Sequence, residues 1–154
     1  MDSQREIQRV LNQEFDHSRF VAPVAVTFTM KQWVDGEVLD ESKCSKNLTY
    51  FFKKFNQEVF GNAAYRFGKK VECFSVLENS ANNLLHFHCV IDNFRKWSPL
   101  KFKYKVKHCW ESTRFGNREI NIQHDSNSGW VSYITKLKTK ENLADSIDWN
   151  NSSW

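Results

Sequence analysis

The stretch that decides the fold is Leu84-Leu85-His86-Phe87-His88-Cys89-Val90-Ile91-Asp92. Its apolar residues are typical of a buried strand, in which successive side chains point to opposite faces of a sheet. We therefore expect one face to carry His86, His88, Val90 and Asp92, and the other to carry Leu85, Phe87, Cys89 and Ile91. Two imidazoles on one strand face can supply half of a metal site, and they can also be structural histidines. The rest of the chain has to decide between these two interpretations.

The composition indicates one globular domain. A chain of 154 residues with 40% hydrophobic and 26% charged residues can bury a full core and is too apolar to be disordered. No stretch reaches membrane-spanning length and the N-terminus is polar, so we expect a cytoplasmic protein without membrane contact or a signal peptide. The cysteines are far apart and have no paired spacing. Cys73 and Cys89 fall in apolar strand patterns, so we expect these two to be reduced core residues; the other two cysteines are Cys44 and Cys109.

The hydrophobic periodicity predicts an α+β fold, with a central, mainly antiparallel sheet flanked by helices. The predicted strands cover 23–33, 71–78, 84–92 and 118–124, and the predicted helices cover 4–15, 42–67 and 129–140. A polar turn at 79–83 predicts a hairpin that ends in the histidine strand. Ser98 and Pro99 favour the start of another helix, although the alternation that follows them fits a strand as well. The core is expected over about 20–140, followed by a polar, acidic tail at 141–154.

A carboxylate completes the set of possible metal ligands. Glu78 ends the strand before the predicted hairpin, so the hairpin brings it back toward His86. Alone, Glu78 would be interpreted as a solvent-facing strand end. Together with His86 and His88 it forms a three-ligand site with open positions, which suits Mg²⁺ or Mn²⁺.

Basic residues are concentrated in the segment 95–107, which contains six of them and no acidic residue. A second basic group follows at 136–140. Bases interleaved with aromatic residues are typical of nucleic-acid binding, and a solvated lysine-rich face is the open alternative. The residues predicted to bind DNA are Arg95, Lys96, Lys101, Lys103, Lys105, Lys107 and Lys138.

A tyrosine next to a metal can attack phosphorus as a nucleophile. Tyr133 and Lys136 are three residues apart, so they share one face of the predicted last helix, where the lysine can balance charge. Tyr50 and Tyr104 also have a lysine three residues later. The spacing alone therefore does not choose among the three tyrosines.

Taken together, these motifs resemble the HUH endonucleases, the replication initiators and relaxases that nick single-stranded DNA. His86-Phe87-His88 is similar to their His-hydrophobic-His motif, and Glu78 to the acidic third ligand of viral and plasmid initiators. Tyr133-Ile134-Thr135-Lys136 resembles their Tyr-x-x-Lys nucleophile motif, and Val26-Thr27-Phe28-Thr29 loosely resembles their Thr-rich first motif. The family's motif order, with the nucleophile well after the histidines, favours Tyr133 as catalytic tyrosine with Lys136 beside it.

The resemblance implies an HUH nuclease-like fold with an RRM-like core. It also implies a metal-dependent, single-tyrosine endonuclease that uses Mn²⁺ or Mg²⁺ and starts rolling-circle replication through a 5′-phosphotyrosine. The implied nucleic-acid partner is single-stranded DNA at a plasmid or phage origin, which can include a DNA hairpin. The implied protein partners are the helicase and polymerase of a bacterial host. The chain departs from two-tyrosine members, and it has no Gly-rich phosphate loop for a helicase. The alternatives are a non-catalytic nucleic-acid-binding module and, less favoured by the cysteine spacing, a zinc-stabilised interaction domain.

Overall fold

The computed structural model describes residues 9, 20–79, 84–124 and 146–153. The first strand, β1 (Pro23–Met30), leads into a short hairpin of β2 (Trp33–Val34) and β3 (Glu37–Val38). Two helices follow, α1 (Glu41–Phe60) and α2 (Asn62–Phe67). The later elements are β4 (Cys73–Asn79), β5 (Leu85–Asp92), α3 (Pro99–Glu111), β6 (Gly116–Gln123) and a 3₁₀ turn, η1 (Trp149–Asn151). The predicted segments at 4–15 and 129–140 lie outside the described residues, apart from Arg9.

A four-stranded sheet with the order β4-β5-β1-β6 forms the centre of the fold, and its neighbouring strands are antiparallel. Helices cover one face of this sheet. The core on that face consists of alternate residues of β1 and β5 together with the apolar sides of α1 and α3; it includes Phe28, Phe87, Phe51, Phe55 and Trp110. The structure confirms the predicted α+β class with an antiparallel sheet flanked by helices.

The helix predicted over 42–67 is in fact two helices. Asp40 begins α1, because its carboxylate accepts a hydrogen bond from the backbone N–H of Lys43 at 2.8 Å. Gly61 has a φ of 59°, a backbone angle that residues with a Cβ atom rarely adopt, and α1 ends there. The chain then continues as the short helix α2.

The segment after Ser98 is a helix, so the alternative prediction of a strand is wrong. The Ser98 side chain accepts a hydrogen bond from the Lys101 backbone N–H at 3.3 Å, and Pro99 occupies the first turn. The apolar residues then fall on one helical face, and Phe102 and Trp110 are buried in the core.

The C-terminal residues 146–153, expected to belong to a polar tail, pack against the edge strand β4. Ile147 pairs with Val76, and the backbone N–H of Asp148 donates to the Ser75 carbonyl at 2.9 Å. Asn151 is buried, and its side-chain amide donates to the Ser45 carbonyl at 3.2 Å. The segment is held mainly by hydrogen bonds, which cover the edge of the sheet.

All four cysteines are buried and free, which confirms the prediction made for Cys73 and Cys89. Burial raises the pKa of Cys44 and of Cys73 to about 12 and that of Cys109 to about 11, and it also raises the pKa of Cys89. These thiols are therefore protonated core residues. Within the described ranges, no helix is both long enough and apolar enough to cross a lipid bilayer.

Candidate metal centre

The strand register brings the predicted ligands together. Glu78 of β4 is the direct partner of His86 of β5, and Val76 is the partner of His88. The alternate residues Leu85 and Phe87 belong to the core on the helix side, so both histidines point to the opposite face of the sheet. The hairpin pairing and the two-face pattern that the sequence predicted are both confirmed.

The three side chains form a compact group. Glu78 Oε2 lies 2.7 Å from His88 Nε2 and 3.5 Å from His86 Nε2. Ligand atoms from all three residues lie within 4.8 Å of one another. The side chains of His86, His88 and Glu78 are 20%, 12% and 21% exposed. The group is therefore only partly accessible to solvent.

Contacts at the other ring nitrogens orient the two imidazoles. His86 Nδ1 lies 3.3 Å from the Leu84 carbonyl oxygen, and His88 Nδ1 lies 3.3 Å from Thr27 Oγ1. An Nδ1–H that donates to such an oxygen fixes the tautomer in which Nε2 carries the lone pair for a metal. Thr27 belongs to the Thr-rich stretch that the sequence singled out, and the register places it opposite His88.

Gln32 holds the start of the histidine strand. Its Nε2 donates to the carbonyls of Met30 at 2.8 Å and of Leu85 at 3.1 Å, and its Oε1 accepts from the Leu85 N–H at 2.9 Å. This clamp ties the end of β1 to the residue before His86. No pattern in the sequence pointed to Gln32, because a single glutamine after a strand is an ordinary surface residue.

The donor atoms fit a divalent cation. In the described part of the chain, Glu78 Oε2 is buried and receives no well-directed hydrogen bond, although the two imidazole nitrogens are close to it. Adjacent ligands of an octahedral cation bound at about 2.1 Å are about 3 Å apart, and the observed separations of Glu78 Oε2 from the two Nε2 atoms, 2.7 and 3.5 Å, bracket this value. This Glu-His-His group can therefore hold a divalent metal. Within the same residues no cysteine joins a metal-ligand group.

Asp92 shares the face of His86 and His88 but is not part of the group. It lies at the other end of β5, where its carboxylate accepts a hydrogen bond from the Ala22 backbone N–H at 2.7 Å. Burial raises the pKa of this carboxyl, and it is 1% exposed. Its contacts give it a structural role in anchoring the start of β1.

The predicted nucleophile is one of three tyrosines that precede a lysine by three residues. Tyr133, Lys136 and Lys138 lie outside the described residues. The two other tyrosines that precede a lysine by three residues, Tyr50 and Tyr104, lie on α1 and α3. Both helices pack on the sheet face opposite the histidines, so neither tyrosine is next to the metal ligands.

The basic segment 95–107 does not form one continuous stripe. Arg95 Nε donates to the Val59 carbonyl at 2.9 Å, and Lys105 Nζ donates to Glu58 Oε2 at 2.8 Å, which raises the pKa of Lys105. Helical spacing then separates Lys101 and Lys105 from Lys103 and Lys107, on opposite flanks of the buried side of α3. The remaining predicted residue of this segment, Lys96, precedes α3 and has a φ of 50°.

No family model, no curated protein and no solved structure matches the chain. The function is therefore inferred from the geometry of Glu78, His86 and His88.

Proposed function

We propose that this protein is a metal-dependent endonuclease that nicks and rejoins single-stranded DNA through a covalent phosphotyrosine, as in the HUH endonucleases it resembles. The observation that carries this proposal is the convergence of Glu78, His86 and His88 within 4.8 Å on one face of an antiparallel sheet. A hard divalent cation, Mn²⁺ or Mg²⁺, matches a site with one carboxylate and positions left open for substrate oxygens. The biological role would be the start of rolling-circle replication.

The chain's own residues have separate tasks in this proposal. Glu78, His86 and His88 hold the cation, and the Leu84 carbonyl and Thr27 hold the imidazole rings. When bound, such a cation polarises a phosphate and stabilises negative charge on its oxygens. Tyr133 supplies the nucleophile, and Lys136 balances the negative charge of the phenoxide or phosphate.

The proposed step exchanges one ester for another. The phenolic oxygen of Tyr133 loses its proton to solvent and forms a bond to phosphorus, while the bond from phosphorus to the 3′-oxygen of the preceding nucleotide breaks. That oxygen takes up a proton and leaves as a free 3′-hydroxyl, from which a polymerase can extend. The 5′-phosphotyrosine linkage is again a phosphodiester. A 3′-hydroxyl can therefore attack its phosphorus, release the tyrosine and rejoin the DNA strand.

Covalent adducts provide the test. The protein is incubated with Mn²⁺ and a library of single-stranded oligonucleotides, boiled in detergent and separated by electrophoresis. The proposal predicts a DNA-linked protein band that requires the metal, and sequencing the attached DNA gives the cleavage site. If no adduct forms with Mn²⁺ or Mg²⁺ on any oligonucleotide of the library, the nuclease proposal is rejected.

The 2.7 Å contact between Glu78 and His88 also fits a second function, because it can serve as a structural ion pair. The protein would then be a non-catalytic nucleic-acid-binding module. This alternative predicts binding of single-stranded DNA that does not depend on metal and leaves no covalent product. The same gel, combined with a binding measurement in chelator, separates the two functions.

A further inference from the structure

The outward face of α1 is strongly basic and takes no part in the metal centre. Between Ser42 and Gln57 this helix has four lysines and no acidic residue. Its apolar residues pack into the core, so the lysines occupy its solvent side. From Lys43 to Lys54 this face extends about 17 Å, because an α-helix rises about 1.5 Å per residue. We call it the α1 surface and define it by Lys43, Lys46, Tyr50, Lys53 and Lys54.

A groove borders each half of the α1 surface. The groove at the N-terminal half has a volume of about 560 Å³, and Lys43, Lys46, Tyr50 and Arg114 are among the residues that line it. The groove at the C-terminal half has a volume of about 260 Å³ and is lined by residues that include Lys53, Tyr65, Lys69 and Lys70. Positive charge thus continues from the helix into both grooves.

The acidic residue that lines the first groove is already paired with bases. Glu37 Oε2 lies 3.0 Å from Arg114 Nη2, and Glu37 Oε1 lies 3.8 Å from Lys43 Nζ. Three bases line the groove with this one carboxylate, and Asp40, outside the lining, also lies 3.6 Å from Lys43 Nζ, so the three bases still exceed the two carboxylates by one charge. That balance favours an anionic ligand.

Exposed rings lie among these lysines. Tyr50 is 45% exposed and Tyr65 is 81% exposed, so neither ring serves the core. Lys54 Nζ lies 5.1 Å from the centre of the Tyr50 ring, which places an ammonium group beside an accessible aromatic face. Lysines that contact phosphates and rings that stack on bases are the two components of single-strand binding without sequence preference.

The α1 surface and the metal centre lie on opposite sides of the sheet. The buried side of α1 contacts the face of β5 that carries Phe87, whereas His86 and His88 point the other way. The first groove lies at the sheet end that carries the metal centre, because Thr29 pairs with His86 while the N–H of Lys31 donates to the Phe115 carbonyl at 2.8 Å. A single-stranded nucleic acid bound along α1 would therefore reach the end of the sheet where the metal ligands are.

We propose that the α1 surface is a second binding site for single-stranded DNA, separate from the metal centre, which binds backbone charge and stacks bases without reading sequence. The choice of DNA as the polyanion rests on the proposed function, whereas the charge and the rings of the surface do not. The site would hold the strand on the helix side of the sheet while the metal centre acts on the other side.

The test measures binding of an oligothymidylate of about 16 nucleotides, in the presence of chelator and over a series of salt concentrations. The triple variant Lys46→Gln, Lys53→Gln, Lys54→Gln should bind at least about tenfold more weakly at about 0.1 M salt. Its slope of log affinity against log salt should be smaller by about 2, since each phosphate contact to a single strand contributes about 0.7. The matched control, with arginine at the same three positions, should keep both the affinity and the slope.

Two further variants separate stacking and metal binding from charge. Tyr50→Ala should weaken binding about fivefold or more and leave the salt slope unchanged, because a ring and no charge is lost. The double variant His86→Ala, His88→Ala should bind the oligothymidylate in chelator as tightly as the unaltered protein. This result would show that binding does not depend on the metal ligands, even if no covalent adduct were ever found, and the glutamine variants then locate it on the α1 surface.

Three outcomes would overturn the inference. The first is a glutamine variant with unchanged affinity and salt slope. The second is an equal loss of binding in the arginine variant, which would show that the substitutions act through the fold. The third is tighter binding to vesicles of anionic lipid than to the oligothymidylate, with the same dependence on the three lysines. Should the triple glutamine variant fail to fold, the double variant Lys46→Gln, Lys53→Gln, with its arginine counterpart, provides the same comparison on the same surface.

Discussion

Glu78 is the register partner of His86, yet its Oε2 atom lies closer to His88, at 2.7 Å against 3.5 Å. The carboxylate thus reaches diagonally across the β4–β5 pair and contacts both imidazoles. Diagonal neighbours on antiparallel strands are within reach of long side chains, and glutamate is long enough to use that geometry. One carboxylate oxygen therefore connects both histidines, and each of the three residues is expected to contribute to metal binding.

Removing one histidine should abolish cleavage while leaving the fold intact. His86→Ala or His88→Ala takes away one of three ligands, and both side chains are on the face of the sheet opposite the aromatic core. Glu78→Ala should reduce cleavage less completely, because water can replace one carboxylate oxygen. Adduct formation with Mn²⁺ is compared with circular dichroism of each variant, and undiminished cleavage by both histidine variants in chelator would exclude the metal centre.

The Tyr133→Phe variant removes one oxygen and keeps the ring. Covalent adduct formation should vanish, whereas binding of Mn²⁺ and of single-stranded DNA should persist. Tyr50→Phe and Tyr104→Phe are the controls, since both tyrosines also precede a lysine by three residues but lie on helices behind the sheet. Peptide mapping of the adduct identifies the linked residue. A DNA-linked peptide with Tyr104 would show that the wrong tyrosine was chosen, and an adduct that survives in all three variants would reject tyrosine attack at these positions.

Neutralising Lys101, Lys103 and Lys105 together should weaken binding to all oligonucleotides alike, because contacts to phosphate carry no sequence information. The hydrogen bond between Lys105 and Glu58 already engages one of these charges. We therefore expect the salt slope to fall by about 1.4, as for two contacts to a single strand, rather than three. Titrations with several unrelated oligonucleotides check this, and an unchanged affinity and slope would mean that these lysines on the two flanks of α3 are only solvated.

The cysteines should be unreactive in the folded protein. Burial raises the pKa of Cys44 and Cys73 to about 12 and that of Cys109 to about 11, so almost none of these thiols is ionised at about pH 8. A disulfide-exchange reagent should modify them only after unfolding, when the thiol pKa falls and the thiolate fraction at that pH rises. Rapid reaction of one or more thiols in the native state would contradict the buried positions.

The hairpin and its two ligand-bearing strands could be predicted from the sequence for a physical reason. Side-chain alternation fixes which residues of 84–92 share a face, and a short polar turn leaves little freedom for the register of Glu78 against His86. The order of the strands in the sheet cannot be predicted from such local patterns. It places β1 between β5 and β6, and with it Thr27 beside His88, through pairings between residues far apart in the chain.

Other features were missed because their signals are local or polar. The small hairpin of β2 and β3 turns at Asp35 and Gly36, which both have positive φ as tight hairpin turns require, but its strands are only two residues long. Residues 146–153 are mostly polar, which predicts a tail, although they are attached by hydrogen bonds such as Ser153 N–H to the Cys73 carbonyl. Hydrophobic patterns do not report attachment of that kind. In the segment 99–111, alternation and helical spacing coincide, and burial of Phe102 and Trp110 in the core decides for the helix.

Direct titration with Mn²⁺ tests the central claim that Glu78, His86 and His88 form a metal centre. Isothermal calorimetry on the metal-free protein should show one ion bound per chain, and this binding should be lost in both His86→Ala and His88→Ala while their thermal unfolding remains cooperative. Binding should also weaken on acidification, because imidazole ligates a metal only in its neutral form. No binding by the unaltered protein, or equal binding by both histidine variants, would contradict the account.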